Sequence, residues 1–159
     1  MGLPEHLTSG AIGIALWEAV KHVTGAAIKR RTERAESKKK VLREDVGSAA
    51  AKVSACLDLA IEYYTTECSP ARRIELATGI RHTTQTLAHL INGVNVGLRE
   101  TGEIALASGL LISFRKATSL QLDVAGLQPV SADDPAVAAM YRAGMRLLAA
   151  LTELKYQAT

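Results

Sequence analysis

Apolar side chains recur every third or fourth position along most of this chain, which is the period of amphipathic α-helices rather than of strands. The first such stripe lies near the N-terminus and has Glu18, His22 and Lys29 on its opposite side. Its apolar residues are Ile12, Leu16, Val20, Val23 and Ala27. The pattern predicts an amphipathic helix. Its apolar face, which we extend to Trp17, would pack on the other helices, on a second copy or in a membrane interface.

Two long stripes follow, and each predicts a further helix. The first is expected to end near Cys68, and the second to begin where Ser69 can cap a helix and Pro70 can occupy its first turn. The expected inward residues are Leu42, Val46, Ala49, Val53, Leu57, Ala60 and Tyr64 in the first, and Ile74, Ala77, Ile80, Leu87, Ile91, Val94 and Leu98 in the second. A break is expected at residues 99–102, although the spacing also permits one continuous helix there.

Two more helices complete the predicted fold. The expected inward residues are Ile104, Ala107, Leu111, Phe114 and Leu120 in one, and Val137, Met140, Gly144, Leu147, Leu151 and Leu154 in the other. Residues 121–132 are predicted to form a loop, after which Asp134 and Pro135 start the last helix. The sequence therefore predicts an all-α fold. An N-terminal amphipathic helix with a basic extension, residues 1–40, precedes an antiparallel four-helix bundle, residues 41–159.

Composition supports this fold class. Only 4% of the 159 residues are aromatic and four are proline, whereas β-sandwiches favour aromatic and β-branched residues. The 48% of hydrophobic residues is enough to form a core and is too high for a disordered chain.

Positive charge is concentrated between Lys29 and Arg43. This basic segment carries eight cationic and two acidic residues, so its formal net charge is +6 against +3 for the whole chain. The cations are Lys29, Arg30, Arg31, Arg34, Lys38, Lys39, Lys40 and Arg43. Such a cluster fits nucleic-acid phosphates or anionic lipid, or it serves only as a solvated helical arm. The segment has no aromatic residue, so base stacking is not expected.

Motifs that carry catalysis are missing from the sequence. It contains no P-loop, nucleophile elbow, CxxC or HExxH pattern. Glu75, His82 and His89 are spaced by seven residues, about 10.5 Å along a helix, which is too far for one metal ion to bridge. Cys56 and Cys68 have no base that the sequence identifies. We therefore expect no enzyme activity, no cofactor and no metal site.

A membrane-spanning helix is not expected either. The least polar stretch, residues 9–28, contains Glu18, Lys21 and His22, and each charge would cost about 2.5–3.5 kcal/mol at the bilayer centre. The cytoplasm is the expected location, and the inner face of a membrane is the alternative.

The stretch Pro70–Leu127 carries a resemblance to a known family. It opens as Ser69-Pro70-Ala71-Arg72-Arg73, continues through Leu76 and Arg81, and closes with LLISFRKATSLQLDVAGL running into a loop. It resembles four-helix bundle proteins of the 23S-rRNA intervening-sequence type and accessory proteins of diversity-generating retroelements. Ser69 replaces an aromatic residue common in the family, and the N-terminal arm, residues 1–40, has no counterpart there. The resemblance implies a non-enzymatic basic oligomer, often a ring, that works with nucleic acid or a reverse transcriptase.

These observations lead to two functional predictions. The first is a non-catalytic, self-associating scaffold or adaptor whose basic arm contacts nucleic acid or a protein partner. The second is a membrane-active oligomer, in which pooled N-terminal helices place Glu18, Lys21 and His22 on a water-filled lumen. In either case Ile12, Leu16, Trp17, Val20 and Val23 form the predicted self-association or membrane face.

Overall fold

The computed structural model describes the backbone of residues 8–102, 104–119, 122 and 128–157. Side chains are described from residue 28 onward within these ranges, apart from Thr101 and Gln157. These residues form four helices and no strand, which confirms the all-α prediction. The helices are α1 (Thr8–Thr65), α2 (Pro70–Thr101), α3 (Ser108–Ser119) and α4 (Pro135–Gln157).

Short polar signals fix where the helices begin. The Ser69 Oγ accepts a hydrogen bond from the Arg72 amide at 3.3 Å, and Pro70 is the first residue of α2. Asp134 has the same role for α4, because its Oδ1 accepts from the Ala136 amide at 2.8 Å. Both predicted starts are therefore confirmed. The first two predicted helical regions form one continuous helix, α1, which ends at Thr65 rather than near Cys68.

The break after α2 is confirmed, but α3 starts later than predicted. Gly102 adopts a left-handed conformation with φ of 80°, which favours glycine and ends the helix. Residues 104–107 are not helical, and the Asn95 Oδ1 accepts a hydrogen bond from the Leu106 amide at 2.7 Å. Ile104 is 90% exposed and Ala107 is also exposed, so their predicted places on an inward helical face are wrong. Leu120, predicted on the same face, lies outside the described residues.

The buried core follows the predicted stripes of α1, α2 and α4 closely. Every predicted inward residue from Leu42 to Tyr64 is buried, as is every one from Val137 to Leu154. In α2 the single error is Ile74, which is 68% exposed, while Leu76 is buried instead.

Helices α1 and α2 lie antiparallel. Leu42 Cδ1 lies 3.1 Å from the position that a Cβ would take on Gly97, and Leu59 Cδ1 lies 3.3 Å from that position on Gly79. The order of contacts is thus reversed between the two helices. Near the end of α1, the Nε and Nη2 of Arg72 donate hydrogen bonds to the Glu62 Oε1 at 3.0 and 2.7 Å.

Helix α4 packs on α1 at a point where α4 has no side chain. The Cβ position of Gly144 lies only 2.9 Å from the Leu57 Cγ, so the glycine allows the two helices to approach closely. Nearer the start of the core, Ala50 of α1 and Leu151 of α4 line one cavity, so these two helices are also antiparallel.

Hydrogen bonds join the end of α1 to α3 and to the chain that follows α3. The Tyr63 hydroxyl donates to the Leu122 carbonyl at 3.2 Å, and the Tyr64 hydroxyl donates to the Thr118 carbonyl at 3.5 Å. The Val130 amide donates to the Tyr64 carbonyl at 2.8 Å. The last of these bonds holds the backbone just before α4 against the end of α1.

The chain divides into two compact units, Met1–Lys38 and Lys39–Thr159. All the buried side chains in the described part of the chain belong to the second unit, beginning with Leu42. In the first unit, the described side chains from Ile28 to Lys38 are all exposed. None of the helices in the described part combines the length and apolar character that crossing a bilayer requires.

Candidate polyanion-binding surface

The basic segment lies entirely within α1, so a regular helix positions its cations. At a rise of about 1.5 Å per residue, the segment from Lys29 to Arg43 is about 21 Å long. Six of its eight cationic side chains are exposed. They are Lys29, Arg30, Arg31, Arg34, Lys38 and Lys40.

The other two cations, Lys39 and Arg43, are partly buried. They lie three residues before and one residue after Leu42, which is only 3% exposed. Lys39 shares one side of α1 with both Leu42 and Arg43, at i, i+3 and i, i+4 spacing, so the aliphatic stems of Lys39 and Arg43 lie near the start of the core. The structure therefore assigns most of the accessible positive charge to the residues before Lys39, together with Lys40.

The charges are sorted around the helix. Lys29 and Glu33 are four residues apart, as are Glu36 and Lys40, so both pairs have the spacing at which opposite charges support a helix. The remaining exposed cations, Arg30, Arg31, Arg34 and Lys38, lie within an arc of about 100° on another side. We call these four residues the cationic stripe.

Three residues of the cationic stripe have only neutral or basic residues at helical contact spacing along α1. No acidic residue lies three or four positions from Arg31, Arg34 or Lys38. Like charges at this spacing disfavour an isolated helix by about 0.2–0.5 kcal/mol per pair. An anionic ligand would remove that penalty, and guanidinium groups bind phosphate with two parallel hydrogen bonds.

The predicted association face lies outside the described side chains. Its residues are Ile12, Leu16, Trp17, Val20 and Val23. The structure adds an apolar pair that the periodicity did not predict. Tyr141 and Met145 are 48% and 60% exposed and lie one turn apart on α4. Their i, i+4 spacing off the core stripe was the available signal.

The structure describes the surroundings of several side chains that were considered for catalysis. Burial raises the pKa of Cys56 to about 11, and a hydrogen bond with Thr118 offsets this only in part. The Cys56 thiol therefore stays protonated at neutral pH and is a poor nucleophile. His82 and His89 are both exposed on α2. Across the described residues, no group of three or more His, Cys, Asp or Glu side chains is placed to hold a metal ion.

Comparison of the chain with protein-family models, curated proteins and solved structures finds no match. The resemblance of Pro70–Leu127 to intervening-sequence bundle proteins therefore stays a prediction. Among the described residues, the cationic stripe is the feature with the clearest chemistry.

Proposed function

We propose that this chain is a non-catalytic, self-associating helical scaffold or adaptor whose basic segment binds a polyanion, with nucleic acid as the ligand. The cationic stripe is the observation that carries the proposal. It offers three guanidinium groups and one ammonium group on one side of an exposed helix. A protein partner with an acidic surface is the alternative ligand.

The stripe supports binding to the phosphate backbone rather than reading of bases. Each cation that neutralises a phosphate releases a condensed counterion, which supplies affinity without sequence preference. The segment has no aromatic side chain on which a base could stack. We therefore expect similar affinity for duplexes of different sequence.

The scaffold part of the proposal is an antiparallel four-helix bundle formed by residues 41–159, with residues 1–40 as a separate arm. The antiparallel contacts of α1 with α2 and with α4 support this arrangement. We propose a second copy as the occupant of the association face around Leu16 and Trp17. The exposed pair Tyr141 and Met145 offers further apolar surface for association.

Reversing two charges of the stripe should weaken nucleic-acid binding. We expect Arg31→Glu/Arg34→Glu to lower the affinity for a 30-base-pair duplex by about tenfold or more, because two phosphate contacts are replaced by repulsion. The slope of log affinity against log salt should fall by about two. Fluorescence anisotropy between 50 and 200 mM salt measures both quantities.

A matched control is Lys52→Glu/Arg99→Glu, which changes the net charge equally at exposed positions outside the segment. Equal weakening by both variants, or affinity independent of salt, would contradict the assignment to the stripe. Dye release from anionic vesicles by the unmodified chain would instead favour a membrane-active oligomer that uses the N-terminal helix.

Removal of residues 1–40 should leave a folded helical protein of lower oligomeric state. All described buried side chains lie beyond that point, so the core keeps its contacts. Circular dichroism tests the fold and light scattering tests the mass. Loss of helicity on truncation would show that the arm is needed for folding, and an unchanged mass would place the association surface elsewhere.

A further inference from the structure

A groove of about 430 Å³ lies between α3 and α4, and none of its lining residues belongs to the basic segment. Its floor is apolar and includes Leu110, Ala117 and Ala143, which are partly buried against the core. Because two of these three side chains are alanine, the helices leave space there that a ligand can fill. The volume is within the range of small-molecule sites, about 300–1,000 Å³.

Three exposed cations line the same groove: Lys116 from α3, and Arg142 and Arg146 from α4. Arg142 and Arg146 are four residues apart, so they lie one above the other on the helix surface. The Nε of Arg142 donates to the Ala138 carbonyl at 3.2 Å, which restrains its guanidinium group.

Positive charge outweighs negative charge on the two helices that line this groove. Helices α3 and α4 carry five cationic residues and one acidic residue, Glu153. Glu153 lies seven positions beyond Arg146, two helical turns away. No described side chain accepts a hydrogen bond from Lys116 or Arg146, and none forms an ion pair with either residue. Three cations around one groove repel one another, and an anion bound among them would relieve this repulsion.

We infer that this groove binds a small organophosphate. The phosphate group would lie among Lys116, Arg142 and Arg146, because guanidinium groups match phosphate oxygens with paired hydrogen bonds. The alkyl or flat organic part would cover the floor formed by Leu110, Ala117 and Ala143. The shared chemistry is an anionic phosphate joined to an apolar group, as in a lipid-like alkyl phosphate or a nucleotide.

Calorimetric titration of the full chain tests this inference. The probes are octyl phosphate below its micelle concentration, adenosine diphosphate, and inorganic phosphate as the head group alone. We expect one organic probe to bind at least about tenfold tighter than inorganic phosphate, because only it also buries apolar surface on the floor. Tighter binding of octyl phosphate would identify a lipid-like ligand, and tighter binding of adenosine diphosphate would identify a nucleotide.

Two variants separate the roles of the rim and the floor. Arg142→Gln/Arg146→Gln should weaken binding of the organic probe by about tenfold or more, whereas the matched control Lys52→Gln/Arg99→Gln should leave it within about twofold. Ala143→Leu should weaken the organic probe while leaving inorganic phosphate unchanged. Circular dichroism checks that each variant is folded.

Some outcomes would overturn the site. They are the absence of binding by both organic probes, affinity no higher than that for inorganic phosphate, or equal losses in the groove and control variants. These outcomes are independent of nucleic-acid binding by the cationic stripe, because the groove variants leave residues 29–43 intact.

Discussion

Replacing Phe114 with alanine should lower the free energy of unfolding by about 3–5 kcal/mol, the usual cost of truncating a fully buried phenylalanine. Phe114 is 0% exposed and is the only phenylalanine in the chain. It is also one of only two buried residues in α3, and the other is Thr118. The other apolar contacts of α3 with the core come from side chains that are only partly buried, so Phe114 is its largest fully buried attachment. Urea denaturation followed by circular dichroism measures the loss.

The control for this prediction lies on the same helix. Ile112 is 63% exposed, so Ile112→Ala should change the free energy of unfolding by no more than about 0.5 kcal/mol. Similar losses for the two substitutions would mean that the Phe114 ring is not the main attachment of α3.

Gly144→Val should destabilise the chain by about 1–3 kcal/mol. A Cβ at this position would lie 2.9 Å from both Leu57 Cγ and Leu57 Cδ2, closer than carbon atoms approach without movement. The Cγ is the branch point of that leucine, so the whole side chain has to move within the core. Overpacking of this kind costs about 1–3 kcal/mol, and the modest gain in helix propensity over glycine does not offset it.

The same substitution at Gly93 is the comparison. Nothing lies within 4 Å of the Cβ position there, and the residue is exposed on α2. Gly93→Val should therefore be neutral or slightly stabilising, since it restricts the unfolded chain and meets no neighbour. Thermal unfolding of the two variants gives the difference, and equal melting temperatures would contradict the role assigned to Gly144.

Most of the core could be predicted from sequence because the buried stripes of α1, α2 and α4 keep a regular helical period. The error at Ile74 has a simple geometric cause. At about 100° per residue, Ile74 lies roughly 120° from the centre of the α2 stripe, whereas Leu76 lies within about 40° of it. The angular positions of the residues around α2 therefore predict Leu76, and not Ile74, as the buried residue.

The start of α3 could not be predicted in this way. Residues 104–107 follow a left-handed glycine, Gly102, and the Leu106 amide is bonded to Asn95 of α2. Because this hydrogen bond is a tertiary contact, the periodicity of the local sequence does not predict it. Ile104 therefore matched a helical pattern although its backbone is not helical.

The sequence predicts one of the two candidate sites in part and does not predict the other. The positive charge of residues 29–43 is evident from composition, but the partial burial of Lys39 and Arg43 depends on where the core begins. The groove between α3 and α4 had no sequence signal of its own. Lys116 and Arg146 are thirty positions apart, and only the packing of the two helices brings them to one cavity.

The bonds from the end of α1 to the chain around and after α3 have a consequence for the order of folding. Tyr63 and Leu122 are 59 positions apart, and Tyr64 and Thr118 are 54 apart. Closing loops of that length directly in an unfolded chain is entropically costly, and prior docking of α2 and α3 shortens the effective loop. We expect the segment around Val130 to become ordered late, after the α1–α2 hairpin has formed. The hydrogen bonds of Tyr63 and Tyr64 would then form after the core has assembled and would not be part of the folding nucleus.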